Sequence, residues 1–453
     1  MKRFVGMCIT FAALAALLVV LGGAFYWLAG QVGAIFGAKF GVEFVGWGAS
    51  LVNVVTVMFV VLMISTSLLT VGERKWAALI QNRIGANQIK VFGNSLAGIP
   101  FFLADAVKML TKERFAPAGR IKFMYALAPI ISFVPIFALF AVVPVGPPIR
   151  LDGIVSGVTG AIGAATVSLQ VASPDVGLLY VFAISSLAVY GTSIAGWSSN
   201  NKFALLGGVR ASSQMLSYEV SLGLSLVGMM LAFQTLRLEE LVQRQGLPVL
   251  GGLPGVGILI QPIGFLVFFA SSFAETKRAP FDLPEGESEI VGFFVEYSGM
   301  QWGLMFLAEF VEIVVLAGMT AAIFLGGWQP IVFQAQFDAF LAAKPLYGAA
   351  LGAAIFIAKM IFLMWLQLVI RWLLPRFRYD QIQKLCWKIL LPTAIANIFV
   401  TAAAVLIDPS LQLLAWIGVG VIAVIVALTV WSSRAPAPAA EHGHGHAHAA
   451  AGH

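Results

Sequence analysis

The run ETKRAPFDLPEGESEIVGFFVEYSGMQWGLMFLAEFVE, residues 275–312, decides how the rest of the chain is read. It holds eight carboxylates, Glu275, Asp282, Glu285, Glu287, Glu289, Glu296, Glu309 and Glu312, of the 21 in a 453-residue chain. On either side lie apolar runs of the roughly 20 residues that a bilayer crossing needs. The first six acids therefore share one loop at a membrane surface, whereas Glu309 and Glu312 fall inside the next apolar run. An ionised group at the centre of a spanning helix costs about 2.5–3.5 kcal/mol on insertion scales. A solvated acidic loop is the plain alternative. Against it, Arg278, Pro280, Pro284, Tyr297 and the phenylalanines Phe281, Phe293 and Phe294 are interleaved with the acids, and mere solvation has no use for them.

Working outward, composition gives the class. A mean hydropathy of +0.93, with 60% hydrophobic and 11% charged residues, belongs to a polytopic membrane protein. The two cysteines, Cys8 and Cys386, are far apart, which excludes a disulfide framework or a CxxC metal site. All five histidines (His442, His444, His446, His448, His453) lie in the terminal tail. The apolar part thus has no histidine for a haem and too few thiols for an iron–sulfur cluster held by four of them. Any redox chemistry must draw its electrons from a partner.

Ten spanning helices are expected, at about 4–29, 50–72, 121–144, 176–195, 213–235, 255–274, 303–326, 349–371, 387–407 and 411–432. The first follows Met1–Arg3 and is longer than the 7–15 residues of a signal-peptide core, so it reads as a retained helix. With the amino terminus in the cytoplasm, 21 of the 27 Lys and Arg fall in cytoplasmic segments, as the positive-inside rule requires. The net charge of +6 is therefore a membrane-sidedness signal rather than a nucleic-acid one. The acidic loop faces the cytoplasm, and so do the other polar loops. The Gly- and Ser-interrupted run 153–169 reads as an extramembrane insert.

Within 94–113, NSLAGIPFFLADAVKMLTKE, the residues Leu103, Ala106, Val107 and Leu110 form an apolar stripe opposite Asp105, Lys108 and Lys112. That pattern predicts an amphipathic helix at the cytoplasmic interface, serving either as an ordinary surface helix or as a wall for a ligand. Four ionisable groups fall within spanning segments: Glu219, Glu309, Glu312 and Lys359. Each is a functional candidate by its cost alone. A structural ion pair, such as Lys359 with a carboxylate on a neighbouring helix, is the other reading. The tail 434–453 is low-complexity and expected to be disordered.

Further motifs are GERKWAALIQNRIGANQ (72–88), LADAVKMLTKE (103–113), GWSSNNKFALLGGVRASSQMLSYEVSLGL (196–224) and LPRFRYDQ (374–381). Together with the acidic run and Lys359, and in this order over about 50–407, they resemble the H-subunit family of bacterial NADH-quinone oxidoreductase, respiratory complex I. Departures from that family's pattern are Ala86 where Pro is frequent, Phe101-Phe102 where Gln-Pro is frequent, and Lys277 where Asn is frequent.

The resemblance implies an all-α polytopic membrane protein of about ten transmembrane helices, eight of a family core plus one extra at each end, with the amphipathic interface helix. It divides the chain into 1–49 (extra helix and periplasmic link), 50–407 (core with quinone-chamber loops), 408–433 (extra helix) and 434–453 (His-rich tail). The family carries no redox centre of its own, with quinone as substrate and FMN and iron–sulfur clusters in partner subunits. Those partners are hydrophilic quinone-site and cluster-bearing subunits on the cytoplasmic face, together with small and antiporter-like membrane subunits in the lipid bilayer. By resemblance, Glu73, Arg74, Asp105 and Arg278 line the quinone chamber. Glu275, Asp282, Glu285, Glu287 and Glu289 form a coupling loop, and Glu219, Glu296, Glu309 and Lys359 continue as a proton path. Arg278 stands three residues after Glu275 and four before Asp282, so it is expected to pair with either of them.

Two other readings stay open: the homologous membrane subunit of a group 4 hydrogenase or formate hydrogenlyase, and an autonomous ion transporter. The full acidic-loop match weighs against the first, and the lack of a duplicated half with paired broken helices weighs against the second. Ten spans return the chain to its starting side, so a reporter fused after Arg434 is expected in the cytoplasm. A periplasmic signal from that fusion would show that a terminal span is misread.

Overall fold

In hydrocarbon a backbone satisfies its N–H and C=O groups by forming a helix, and the apolar runs of this chain do so. The computed structural model describes residues 53–89, 98, 100–150, 166–250, 253–283 and 292–434. The expected span 4–29, the acids Glu285, Glu287 and Glu289 and the histidine tail lie outside the described residues.

In chain order the helices begin with α1 (Val54–Ile80), the interfacial α2 (Pro100–Thr111), α3 (Lys122–Val142), α4 (Gly177–Ser198) and α5 (Lys202–Phe233). There follow α6 (Leu238–Gln245), α7 (Gly257–Ile260), α8 (Pro262–Glu275), α9 (Gly299–Phe324) and α10 (Gln334–Ala343). The chain closes with α11 (Pro345–Leu373), α12 (Tyr379–Ile407) and α13 (Gln412–Arg434). Two short antiparallel pairs interrupt the helical order, β1 (Ile149–Arg150) with β2 (Thr166–Val167) and β3 (Pro248–Leu250) with β4 (Leu253–Pro254). Among the described residues, eight helices are long and apolar enough to cross a membrane. The fold is an all-α polytopic one.

Three elements differ in extent from the sequence reading, and each difference carries a consequence. Helix α1 continues to Ile80, so Glu73 and Arg74 stand on a helix rather than beyond its end. Helix α5 starts at Lys202, where the Asn201 side chain accepts from the Phe203 N–H at 3.0 Å as an N-cap. Its 32 residues span about 48 Å at 1.5 Å per residue, more than the hydrocarbon thickness, so it is long enough for turns at one end to leave the membrane. The span expected at 255–274 is broken at Gln261 into the one-turn α7 and the 14-residue α8. The Gln261 amide nitrogen donates to Thr401 Oγ1 (2.6 Å) and its oxygen accepts from Asn397 (2.7 Å), both on α12, which stitches the break to its neighbour.

Helix α9 is the axis of the assembly. From Ala308 to Phe324 its residues are buried all round, packed against α1, α2, α3, α8 and α11. A helix buried on every face has no polar side to present to water, so its two glutamates must find partners inside the protein.

Where helices touch without a hydrophobic driving force, small residues let backbones approach. At the α3–α4 contact, a Cβ on Gly191 would stand 2.3 Å from Ser132 Oγ and 2.6 Å from the Ser132 nitrogen. Overpacking of this kind costs about 1–3 kcal/mol, so Gly191→Ala is expected to lower the melting temperature and the yield of folded protein in detergent. Gly420→Ala, with nothing within 4 Å of the added carbon, is the matched control. Equal melting temperatures for the two variants would refute the close-approach account.

Candidate functional site

The conformation of three consecutive residues sets the site. Glu275 ends α8, Thr276 continues the turn, and Lys277 takes the left-handed conformation (φ 56°). That turn redirects the chain so that both Lys277 and Arg278 point inward. Each is about 4% exposed, which for two adjacent cations requires two separate sets of counter-charges.

Arg278 finds its partners far away in sequence. Its Nη1 lies 2.8 Å from Glu73 Oε2 on α1, and its Nη2 lies 3.8 Å from Glu309 Oε2 on α9. The guanidinium stacks over the Phe310 ring at 3.8 Å from its centroid, a favourable cation–π geometry. The other oxygen of Glu73 accepts from Arg371, in the last turn of α11. The charges therefore run Arg371, Glu73, Arg278, Glu309, drawn from three helices and one link. The sequence-based expectation named the near neighbours Glu275 and Asp282, whereas the ion pairs of the site reach Glu73 and Glu309. The left-handed turn at Lys277 swings Arg278 away from the end of α8 and toward α1.

This row of charges closes one end of a cavity of about 670 Å³. Its apolar walls include Phe101, Phe102 and Met109 on or beside α2, and Phe306 and Phe310 on α9. No residue of α2 is fully buried, which suits a helix that walls a cavity at an interface. Arg74 and Asp105 line the same cavity and bond to each other at 2.5 Å, each more than a third exposed along its side chain. Glu73, Arg74, Asp105 and Arg278, all predicted site residues, are thus brought together.

Lys277 serves the other set. Its ammonium lies 3.5 Å from Glu312 Oε2, both side chains only 5% exposed. Burial alone would push the Lys277 pKa down, but the facing carboxylates of Glu312, Glu309 and Glu275 outweigh it and hold the group above the ordinary lysine value. Glu275 and Glu312 also line a second cavity of about 20 Å³, beside Ser185 of α4. That is about the room one water occupies. Glu219 on α5 bonds Ser185 and acts electrostatically on Glu275. Glu309 and Glu312, three residues apart on α9 and so on one face, separate the two sets: Glu309 belongs to the large cavity and Glu312 to the interior.

The remaining predicted residues lie elsewhere. Glu296 accepts from Asn201 Nδ2 at 2.5 Å, and its carbonyl accepts from the Tyr125 hydroxyl at 2.6 Å, tying the loop to the start of α5. Tyr125 in turn stacks on Tyr297 with centroids 4.0 Å apart. Lys359 on α11 donates to the carbonyls of Leu325 (2.5 Å), Gly327 (2.9 Å) and Gln329 (2.5 Å). It holds the turn that leaves α9 with three hydrogen bonds, away from the carboxylates of the two cavities. The Asp282 carbonyl accepts from Arg376.

Two participants escape the sequence reading. Arg371 is legible there only as part of the cytoplasmic positive charge, and Lys277 only as a departure from a family pattern. A usable signal for Arg371 was its place directly after a long apolar run, within reach of whatever α1 presents at the same membrane depth.

A family model described as NADH dehydrogenase matches residues 52–402. The chain is similar to the H subunit of NADH-quinone oxidoreductase from Leptospira biflexa, 41% identical over 350 residues, which is 76% of this chain and 91% of that protein. It is similar to an H subunit of the same oxidoreductase from Geobacter metallireducens, 41% identical over 358 residues, 78% of this chain and 94% of the relative. With an H subunit from Cytophaga hutchinsonii it shares 38% identity over 355 residues, covering 78% of this chain and 96% of the relative.

Proposed function

The chain belongs to the H-subunit family of NADH-quinone oxidoreductase, and on that premise we propose that it walls the quinone chamber and couples quinone reduction to proton translocation. As a member of that family it is a multi-pass membrane subunit of an enzyme complex. The observation that carries the finer reading is the row Arg371–Glu73–Arg278–Glu309 at the end of an apolar-walled cavity, with further buried carboxylates directly behind it.

Reduction of a quinone takes up two electrons and two protons, with negative charge developing on the two ring oxygens as the electrons arrive. With two cysteines the chain cannot hold a four-thiolate cluster to supply those electrons; by resemblance, iron–sulfur clusters and FMN belong to hydrophilic partner subunits at the cytoplasmic mouth of the cavity. The aromatic and Met side chains receive the apolar body of the quinone. Arg278 and Arg371 stand as cations at the end of the cavity where that negative charge develops.

Their attraction is shared. A guanidinium drawn to a charged quinone oxygen leaves Glu73 and Glu309 with less counter-charge, which favours proton uptake by those carboxylates. Glu309 has Glu312 one turn further along α9, so a proton demand created in the large cavity reaches the interior acids Glu312, Glu275 and Glu219. By resemblance that path continues toward antiporter-like membrane subunits. Lys359 supports the path indirectly, by holding the end of α9. Arg74 and Asp105 sit at the mouth, where they guide entry.

Charge-assisted hydrogen bonds of Arg278 are worth roughly 1.5–3 kcal/mol each, and Lys lacks the planar fork that bridges two carboxylates. Arg278→Ala and Arg278→Lys are therefore expected to lower quinone reduction about 10- to 100-fold in membrane vesicles, at 1.4 kcal/mol per decade, and proton pumping with it. NADH oxidation by a hydrophilic artificial acceptor should persist and report the content of assembled complex. Glu219→Gln, which keeps size and removes a proton carrier, is expected to impair pumping and its coupled turnover while assembly stays intact. Near-normal quinone turnover and pumping in Arg278→Ala would defeat the chamber reading.

A further inference from the structure

Lys277 and Arg278 are neighbours in sequence, buried alike, and aimed at different carboxylates. Arg278 faces Glu73 and Glu309 at the large cavity, and Lys277 faces Glu312 in the interior. A single peptide unit therefore joins the cation of the reaction chamber to the cation of the inner acids. Keeping a non-glycine residue at φ 56° costs backbone energy that Gly or Asn would largely avoid. The molecule nonetheless places a long cationic side chain there and buries it.

The interior set has two acids that face one small cavity, Glu275 and Glu312, and one cation. Two adjacent buried carboxylates cannot both stay ionised without compensation, and uncompensated they share protons as a coupled pair. Lys277 lies against Glu312, so its charge favours the anion at that acid and leaves the exchangeable proton to the other. That other acid is Glu275, which shares the small cavity with Glu312 and feels the charge of Glu219.

We propose that Lys277 is a positioning residue for proton coupling: by facing Glu312 it biases the exchangeable proton of the acid pair onto Glu275, and its peptide bond to Arg278 ties that arrangement to the charge in the large cavity. This deepens the quinone-chamber reading and rests on it. Movement of Arg278 toward a reduced quinone shifts Lys277 relative to Glu312, and the interior acids feel the change without a continuous hydrogen-bonded wire between the two cavities.

The test uses the assembled complex in inside-out membrane vesicles, reading protons moved per quinone reduced, with complex content fixed by NADH oxidation with the hydrophilic acceptor. Lys277→Asn suits the left-handed backbone and removes the charge. It should leave Glu275 and Glu312 sharing protons as one coupled pair, so that Glu275 no longer exchanges on its own, and so lower the ratio about twofold or more. Glu312→Gln should also lower it, because the unpaired ammonium then pins Glu275 in its ionised form. The double variant Lys277→Asn/Glu312→Gln removes cation and anion together and should restore the ratio toward wild type, a rescue that a purely structural lysine would not show.

An unchanged ratio in assembled Lys277→Asn overturns the inference, as does a double variant no better than either single one. If Lys277→Asn fails to assemble, Glu312→Gln, nearly isosteric and on a rigid helix, decides: a lowered ratio supports the inference and an unchanged one overturns it. Wild-type vesicles with no quinone-linked proton movement would instead overturn the chamber reading, and the inference with it. Coupled wild-type vesicles with an unaffected Lys277→Asn would remove the inference alone.

Discussion

A guanidinium buried between two carboxylates in the protein interior is the interaction on which this structure depends. Arg278, Glu73 and Glu309 are each costly to bury alone, and removing one member of such a set is strongly destabilising because the others are left uncompensated. Their mutual geometry therefore constrains three separate elements: α1 must present Glu73 at the depth where α9 presents Glu309, and the link after α8 must deliver Arg278 between them. The Phe310 ring beneath the guanidinium and Arg371 on the far side of Glu73 complete the set. The cavity lies where it does because these charges keep the apolar helices from closing over it.

The same requirement explains the burial of α9. A central helix with two acids on one face supplies one to each of two cavities, and only a helix enclosed by its neighbours can serve both sides. Lys359 fits this scheme as a structural part. Its three carbonyl contacts, at the C-cap Leu325 and at Gly327 and Gln329 just beyond it, tie the turn that follows α9 to α11.

Helix content and the polytopic class were legible from the sequence because each is a property of local composition. Pairing was not. Arg278 reads locally as a partner for Glu275 or Asp282, three and four residues away, whereas its counter-charges stand 205 residues before it and on the following helix. Nothing in spacing reports a contact that exists only after α1, α9 and α11 have packed. The break at Gln261 was hidden for a similar reason. Its polar side chain looks tolerable in an apolar run, and only the partners Asn397 and Thr401 on α12 reveal why the helix can be interrupted there. Glu296 shows the reverse case: it belongs to the acid-rich run, yet the structure uses its side chain to hold Asn201 at the start of α5.

The two adjacent cations differ in kind, and the difference matches what each must do. A guanidinium is planar and carries five donors, so Arg278 can span Glu73 and Glu309 while its face rests on an aromatic ring. An ammonium is a compact point charge on a flexible stem, and Lys277 meets the single carboxylate Glu312. Exchanging the two would leave a fork with one carboxylate to grip and a point charge asked to bridge two. The order Lys-Arg across the left-handed turn is therefore a directional feature. The bridging cation faces the large cavity, and the single-pair cation faces the interior acid Glu312.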